Sequence, residues 1–210
     1  MNVIQNLDSF LEDFSNKCSI AQKKYFKKNQ IITTYIQKRN QICVLLSGEA
    51  DLVRYDLNGV RSIIEHFTKN DIFGDAFYVV SVNNELSVEA KKNSEVLFFS
   101  YDNLYAKCTK NCDFHSQLEK NFSKVVVAKM KNINTRVEIL TKRTIREKLL
   151  SYFSILSTRN LSRTFTIPFS LTDLADYLSV DRSAMMRELK NLKDEGIIEK
   201  TGNNFSLLIY

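Results

Sequence analysis

The stretch Ser170-Leu-Thr-Asp-Leu-Ala-Asp-Tyr-Leu178-Ser-Val180-Asp181-Arg-Ser-Ala-Met-Met-Arg-Glu-Leu-Lys-Asn-Leu-Lys193 decides the fold of the C-terminal part of the chain. Ser170 and Asp181 each carry a short side-chain oxygen directly ahead of an amphipathic run, where it can accept an otherwise orphaned backbone N–H. Two helices follow, Leu171 to Leu178 and Arg182 to Lys193, with Ser179-Val180 as a short turn between them. The small Ala175 stands where the second helix would cross closely. Leu174, Leu178, Val180, Met185, Leu189 and Leu192 form the expected buried set. This is helix-turn-helix spacing. Downstream, Gly196 to Ile209 reads as a two-stranded wing that turns at Gly202-Asn203-Asn204.

The second helix shows Arg182, Ser183, Met186, Arg187 and Lys190 on its non-core side. Together with Thr172 of the first helix they are the candidate DNA contacts. Arginine matches the paired O6 and N7 acceptors of guanine. A helix N-terminus, where Arg182 and Ser183 sit, also favours a phosphate. A helical hairpin with a solvated basic face is the plainer reading of the same residues. Both helices, their caps and the wing favour the first, while charge alone leaves the two readings level: residues 1–112 hold 14 Lys and Arg against 13 Asp and Glu, whereas residues 113–210 hold 16 against 11. The net charge of +6 therefore belongs mostly to the second half, and basic charge attracts a phosphate polyanion by Coulomb energy and counterion release.

Upstream of the motif, Arg146 to Leu156 is expected as a helix with Leu149, Leu150, Phe153 and Leu156 on one face. Thr164 to Ile167 fits a short strand ending at Pro168, the only proline. Asp113 to Leu140 contains no Gly or Pro, and its apolar residues Leu118, Phe122, Val126, Met130, Ile133, Val137 and Leu140 recur at close to heptad spacing. A helix of that length spans roughly 40 Å, more than a small domain needs to cover itself. The stripe fits a seam for a partner helix, and a helix packed on its own domain is the alternative.

Between about Gln30 and Ser100 the pattern is β. Ile42 to Leu46, Ala50 to Tyr55, Val60 to Phe67 and Val96 to Phe99 read as strands, with Asn58-Gly59 as a hairpin signal. Short strands punctuated by turns suggest a small sandwich or barrel. Ahead of them, Asn2 to Tyr25 has Ile4, Leu7, Leu11 and Phe14 at helix spacing.

The 210 residues, 44% hydrophobic and 26% charged, are in the ordinary globular range. No apolar run approaches the roughly 20 residues of a membrane helix. Asp8, Glu12 and Asp13 near the start are unlike a secretory signal. Cys18, Cys43, Cys108 and Cys112 lack the density of a disulfide scaffold, so a reducing cytoplasmic setting is the simplest expectation. Cys108 and Cys112 could share a helical face as half a metal site or a reversible disulfide, or serve as small apolar side chains. His66 and His115 are the only histidines. No phosphate loop, nucleophile elbow or metal-ligand spacing is present, so an enzyme is not expected.

The stretch Phe169 to Leu208 resembles the winged helix-turn-helix of the Crp/Fnr family of bacterial transcription regulators. Asp181-Arg-Ser-Ala-Met-Met-Arg-Glu-Leu189 matches its recognition-helix pattern. The family's two recognition arginines fall on Arg182 and Arg187, and its usual acidic contact on Ser183. Position 179, often Gly, is Ser here, and Glu188 stands where many members have an apolar residue. Leu45-Leu-Ser-Gly48-Glu49 and Asn70-Asp-Ile-Phe-Gly74-Asp75 resemble the glycine corners of its cyclic-nucleotide-binding-like β-roll.

The resemblance implies an α+β chain in three parts: a sensor domain over 1–112, a dimerisation helix over 113–140 and a winged helix-turn-helix over 141–210. It also implies a homodimer on an inverted DNA repeat, with RNA polymerase and a small-molecule effector of unknown identity among the partners. The positions that hold cyclic nucleotide ribose and phosphate in such proteins are Gly74-Asp75 and Leu86-Ser87 here. Leu86 replaces an arginine, which removes a charge-assisted contact to phosphate. Tight binding of cyclic AMP is therefore not expected, and no cofactor is. Gly74 and Ser87 also fit ordinary turn and strand roles. The alternative function is a ligand- or redox-sensing protein that acts through a protein partner, with the winged helix as a docking surface.

Overall fold

The computed structural model describes residues 21–36, 40–75, 77–78, 85–104 and 113–208, with the side chains of 85, 103–104, 113–122 and 125 outside that description. The chain divides into two compact units, with the boundary after Lys131. In the first unit the described strands are β1 (Gln22–Phe26), β2 (Ile31–Thr34), β3 (Gln41–Ser47), β4 (Ala50–Tyr55), β5 (Arg61–Phe67), β6 (Ile72–Phe73), β7 (Glu85–Ala90) and β8 (Ser94–Ser100). They pair antiparallel into two four-stranded sheets, β1-β8-β3-β6 and β2-β7-β4-β5.

Central strands explain why alternation was weak in the sequence. Ile42, Cys43, Val44 and Leu45 of β3 are all buried, as are Ala50, Asp51, Leu52 and Val53 of β4. Asp51 is wholly buried in that run. Its Oδ1 lies 2.6 Å from His66 Nδ1, and its Oδ2 lies 3.6 Å from Arg61 and 3.8 Å from Lys91. A carboxylate in such a place requires cationic or hydrogen-bonding company, which gives His66 a structural occupation. The corner after β3 needs glycine: Gly48 has φ +92°, and a Cβ there would stand 2.3 Å from Ser94 Oγ.

Three expectations change here. Gln22 to Tyr25 is not helix but part of β1, paired with β8 from Gln22 opposite Phe98. Lys23 and Lys24 are exposed on this edge strand, so strand pairing rather than local periodicity sets its structure. The rest of that expected helix, with Ile4, Leu7, Leu11 and Phe14, lies outside the described residues, as do Cys18, Cys108 and Cys112. The β4–β5 connection is a longer loop than an Asn-Gly turn. Asp56 Oδ1 accepts the N–H groups of Asn58 and Val60, both at 2.8 Å, and Gly59 alone takes the left-handed conformation. β5 accordingly starts at Arg61 rather than Val60.

The long helix forms as α1 (Asp113–Leu140). Leu118 and Phe122 carry side chains outside the description. Val126 and Leu140 are half-buried, whereas Met130, Ile133 and Val137 are 59%, 47% and 54% exposed. On another face of the helix Lys129 is buried. Its ammonium donates to Glu65 Oε1 and Oε2 at 2.9 and 2.8 Å and sits over the rings of Phe67, Phe77 and Tyr78.

The second unit holds α2 (Ile145–Asn160), β9 (Thr164–Thr166), α3 (Leu171–Leu178), α4 (Arg182–Asp194), β10 (Ile198–Thr201) and β11 (Asn204–Leu207). α2 starts at a capping box, in which Thr144 and Glu147 exchange side-chain and backbone hydrogen bonds. Its buried face is Leu149, Tyr152 and Phe153, while Leu150 and Leu156 are only half-buried. The expected wing gains a strand: β9 pairs with β11, Phe165 opposite Phe205, so the sheet runs β10-β11-β9. Asn204 belongs to β11, which leaves Gly202-Asn203 as the turn. Among the described residues no helix is long and apolar enough to cross a membrane.

Candidate nucleic-acid interface and sensor pocket

The two helices of the motif are capped as their sequence requires. Ser170 Oγ accepts Asp173 N–H at 3.1 Å and donates to Asp173 Oδ2 at 2.7 Å. Asp181 Oδ1 accepts Ala184 N–H at 2.7 Å. Between them Ser179 is left-handed at φ 53°, and its N–H reaches the carbonyls of Ala175 and Asp176. Glycine would adopt that conformation without the steric cost a Cβ carries. Lys148 Nζ, 3.2 Å from Leu178 O, satisfies another carbonyl at the end of α3.

Beneath this corner lies one apolar core. Leu174, Ala175, Leu178, Met185, Leu189 and Leu192 are buried, as are Leu149, Phe153, Phe165 and Phe205. Phe153 is the hub: its ring is 4.8 Å from Phe205 and 5.7 Å from Phe165. Val180, expected inside, is half-buried because it sits in the turn, with its N–H bound to Ala175 O. The close packing of Ala175, 2% exposed, lets α4 cross α3.

With one side of α4 fixed on that core, the structure places Arg182, Ser183, Arg187 and Lys190 on the exposed side, together with Thr172 of α3 and Met186. The sequence did not reveal how the flank of α4 is held. Arg146 of α2 donates from Nη1 to Glu195 Oε1 at 2.9 Å and to Glu188 Oε1 at 3.2 Å, and from Nη2 to Glu195 Oε2. Its guanidinium beside Glu195 holds that carboxyl below the usual carboxylate range. Glu188, the apparent departure from the family pattern, is thus an ion-pair partner.

In the first unit, a residue that sequence reading passed over links two of the four pocket candidates, Gly74 and Leu86. Tyr35, 1% exposed, donates its backbone N–H to Leu86 O at 3.1 Å. Its hydroxyl accepts Gly74 N–H at 3.2 Å. The Tyr35 side chain therefore spans the gap from Leu86 to Gly74, and its ring meets Tyr78 edge-on at 5.3 Å. Leu86 is itself a core residue, 4% exposed, and Ser87 is buried. Asp75 is also buried, and its Oδ1 accepts Gln41 N–H at 2.6 Å. Gly74 has no room for a side chain, since a Cβ would stand 2.1 Å from Gln41 O. Burial pushes the Tyr35 hydroxyl and the Cys43 thiol up, so both stay protonated and Cys43 packs as an apolar group. Among the described residues no group of three or more metal-ligating side chains converges.

The chain holds two four-stranded antiparallel sheets, a long helix and a winged helix-turn-helix, the architecture of a regulator with a DNA-binding domain. Comparison with known proteins agrees. Residues 23–111 match the cyclic nucleotide-binding domain model, and residues 147–209 match the Crp-like helix-turn-helix domain. A curated relative, the probable transcriptional regulator flp of Lacticaseibacillus casei, is 24% identical over 167 residues, 80% of this chain and 74% of the relative. A CooA variant from Carboxydothermus hydrogenoformans superposes with a TM-score of 0.76 at 16% identity, covering 98% of this chain and 92% of that one. A cyclic nucleotide-binding domain containing protein from Listeria monocytogenes gives 0.70 at 17% identity, covering 95% of both. The chain belongs to the Crp/Fnr family of transcription regulators, with a Crp-like DNA-binding domain.

Proposed function

We propose that the protein is a homodimeric, sequence-specific regulator whose α4 helices enter successive major grooves of an inverted repeat. The observation that carries this reading is the exposed row Arg182, Ser183, Met186, Arg187 and Lys190 on a helix capped by Asp181 and packed from behind. The row meets a duplex edge-on, with arginine forks for guanine and the helix N-terminus for a phosphate. The pairing of protomers is supported by Met130, Ile133 and Val137, which leave apolar surface in water at seam spacing. Leu118, Phe122, Val126 and Leu140 complete the stripe in sequence. The parts are a sensor over 1–112, the seam helix over 113–140 and the reader over 141–210. A cytoplasmic setting belongs to the same reading, with RNA polymerase as the further partner.

Arg187→Ala is expected to cost about 1 to 3 kcal/mol of binding to the preferred site, because a bidentate base contact is lost. Lys190→Ala is expected to weaken all sequences alike and flatten the salt slope by about one unit. Fluorescence anisotropy on specific and random duplexes over a salt series measures both. Equal losses on the two duplexes for Arg187→Ala would remove it as a reader of bases.

The sensor reading is that Gly74, Asp75, Leu86 and Ser87 no longer form a cyclic AMP site. Leu86 offers no charge to a phosphate, and Tyr35 already occupies the Gly74 N–H. Calorimetric titration of the full chain with cyclic AMP is expected to show no saturation in the micromolar range. A micromolar dissociation constant would contradict this. Any effector would be of another chemistry and would act by differential affinity for two dimer arrangements.

A further inference from the structure

Three charges in the winged unit stand where local rules disfavour them. Arg146 is a cation in the first turn of α2, close to the positive end of the helix dipole. Glu195 is an anion at the C-cap of α4, close to a negative end. Glu188 lies mid-helix on α4 as a half-buried charge, which needs a partner. The three meet in one cluster. Arg146 spans two turns of α4, bidentate to Glu195 and with Nη1 shared with Glu188, while the Asn191 amide donates to Glu188 Oε2 at 3.5 Å. Where several local preferences are broken together and satisfied by a single geometry, a functional demand is the physical explanation.

The position of the cluster on α4 says what that demand is. At 100° per residue, Glu188 and Glu195 lie on one stripe about a quarter turn around from Arg187, between the core face and the exposed row. The core of Met185, Leu189 and Leu192 holds α4 by apolar contact, which is non-directional. The guanidinium fork is directional and fixes how far the helix is rolled. With side-chain tips about 5 to 6 Å from the axis, a roll of about 20° moves them by roughly 2 Å, enough to break a paired hydrogen bond to a base.

We propose that Arg146 is a positioning residue for base reading: through Glu188 and Glu195 it sets the rotation of the recognition helix, and so the sequence preference of the protein rather than its overall hold on DNA. This rests on the reading of α4 as the base-contacting helix.

The test compares the full chain with Arg146→Gln, Glu188→Gln and the double variant. Each is titrated on the preferred duplex and on a random one, and melted thermally. The expected result is that the ratio of specific to random affinity falls about tenfold in both single variants, although one removes a positive charge and the other a negative one. The double variant is expected to be no worse than Arg146→Gln alone, because Arg146→Gln already removes the contact that Glu188 shares with the Glu195 fork. Arg146→Lys keeps the charge and loses the fork, and serves if Arg146→Gln does not fold; it too is expected to lower the ratio. An unchanged ratio overturns the proposal. So do parallel losses on both duplexes, or single effects that add in the double variant and follow the sign of the charge removed. If the unaltered chain shows no sequence preference, it is the underlying reading of α4 that fails.

Discussion

Ile133→Glu combined with Val137→Glu is expected to convert the protein to a monomer and to lower its affinity for an inverted repeat by about 100-fold or more, since linking two half-site contacts raises avidity by about 10² to 10⁴. Both side chains are about half exposed within one chain, at 47% and 54%, so carboxylates there cost the isolated protomer little. In a seam the same carboxylates would lie opposite their own copies, desolvated and without cations. Analytical ultracentrifugation reads the association state, and circular dichroism of α1 and the winged unit should stay at the unaltered value. A variant that remains dimeric would place the seam elsewhere. An unaltered chain that sediments as a monomer would remove the dimer from the account.

The second large effect is on stability. Phe153→Ala is expected to destabilise the winged unit by about 3 to 5 kcal/mol, the usual loss when a large buried aromatic leaves a cavity. Phe153 is wholly buried where α2 meets β9 and β11, between Phe165 and Phe205. A domain holds about 5 to 15 kcal/mol in all, so a large share of the margin would go. Denaturant melts followed by circular dichroism should show a transition of the variant at a lower midpoint, with DNA binding lost in parallel. A loss below about 1 kcal/mol would mean the core closes over the gap, and that α2 is not held as described.

The winged unit was legible because its signals are local. Ser170 and Asp181 announce two helices, the apolar residues repeat at helix spacing, and both caps form as read. The exposed row of α4 follows from the same periodicity. β9 was legible as a strand but not as part of the wing, since its partner Phe205 is distant in sequence. In the first unit the central strands β3 and β8 showed as apolar runs, and β4 as a loosely alternating one. β1 did not, because Gln22, Lys23, Lys24 and Tyr25 are an exposed edge whose conformation is set by pairing with β8.

Function divides the same way. The sensor positions were traced by resemblance, but the side chain that spans them was not, because Tyr35 meets Gly74 across 39 residues of sequence. The Arg146 cluster joins residues 42 and 49 apart. Its one advance sign was Glu188, a charge at a position where an apolar side chain was expected. A residue that breaks the pattern of its own helix needs a distant partner, and for Glu188 that partner is Arg146.

Two copies of α4 are expected to read an inverted repeat. Selection of bound duplexes from a random-sequence library, with the purified full chain at near-physiological salt, tests it most directly. Enrichment of two half-sites related by two-fold symmetry is expected, centred about one helical turn or a multiple of it apart. Recovery of bound duplexes with no common sequence, or of a single unpaired half-site, would contradict it.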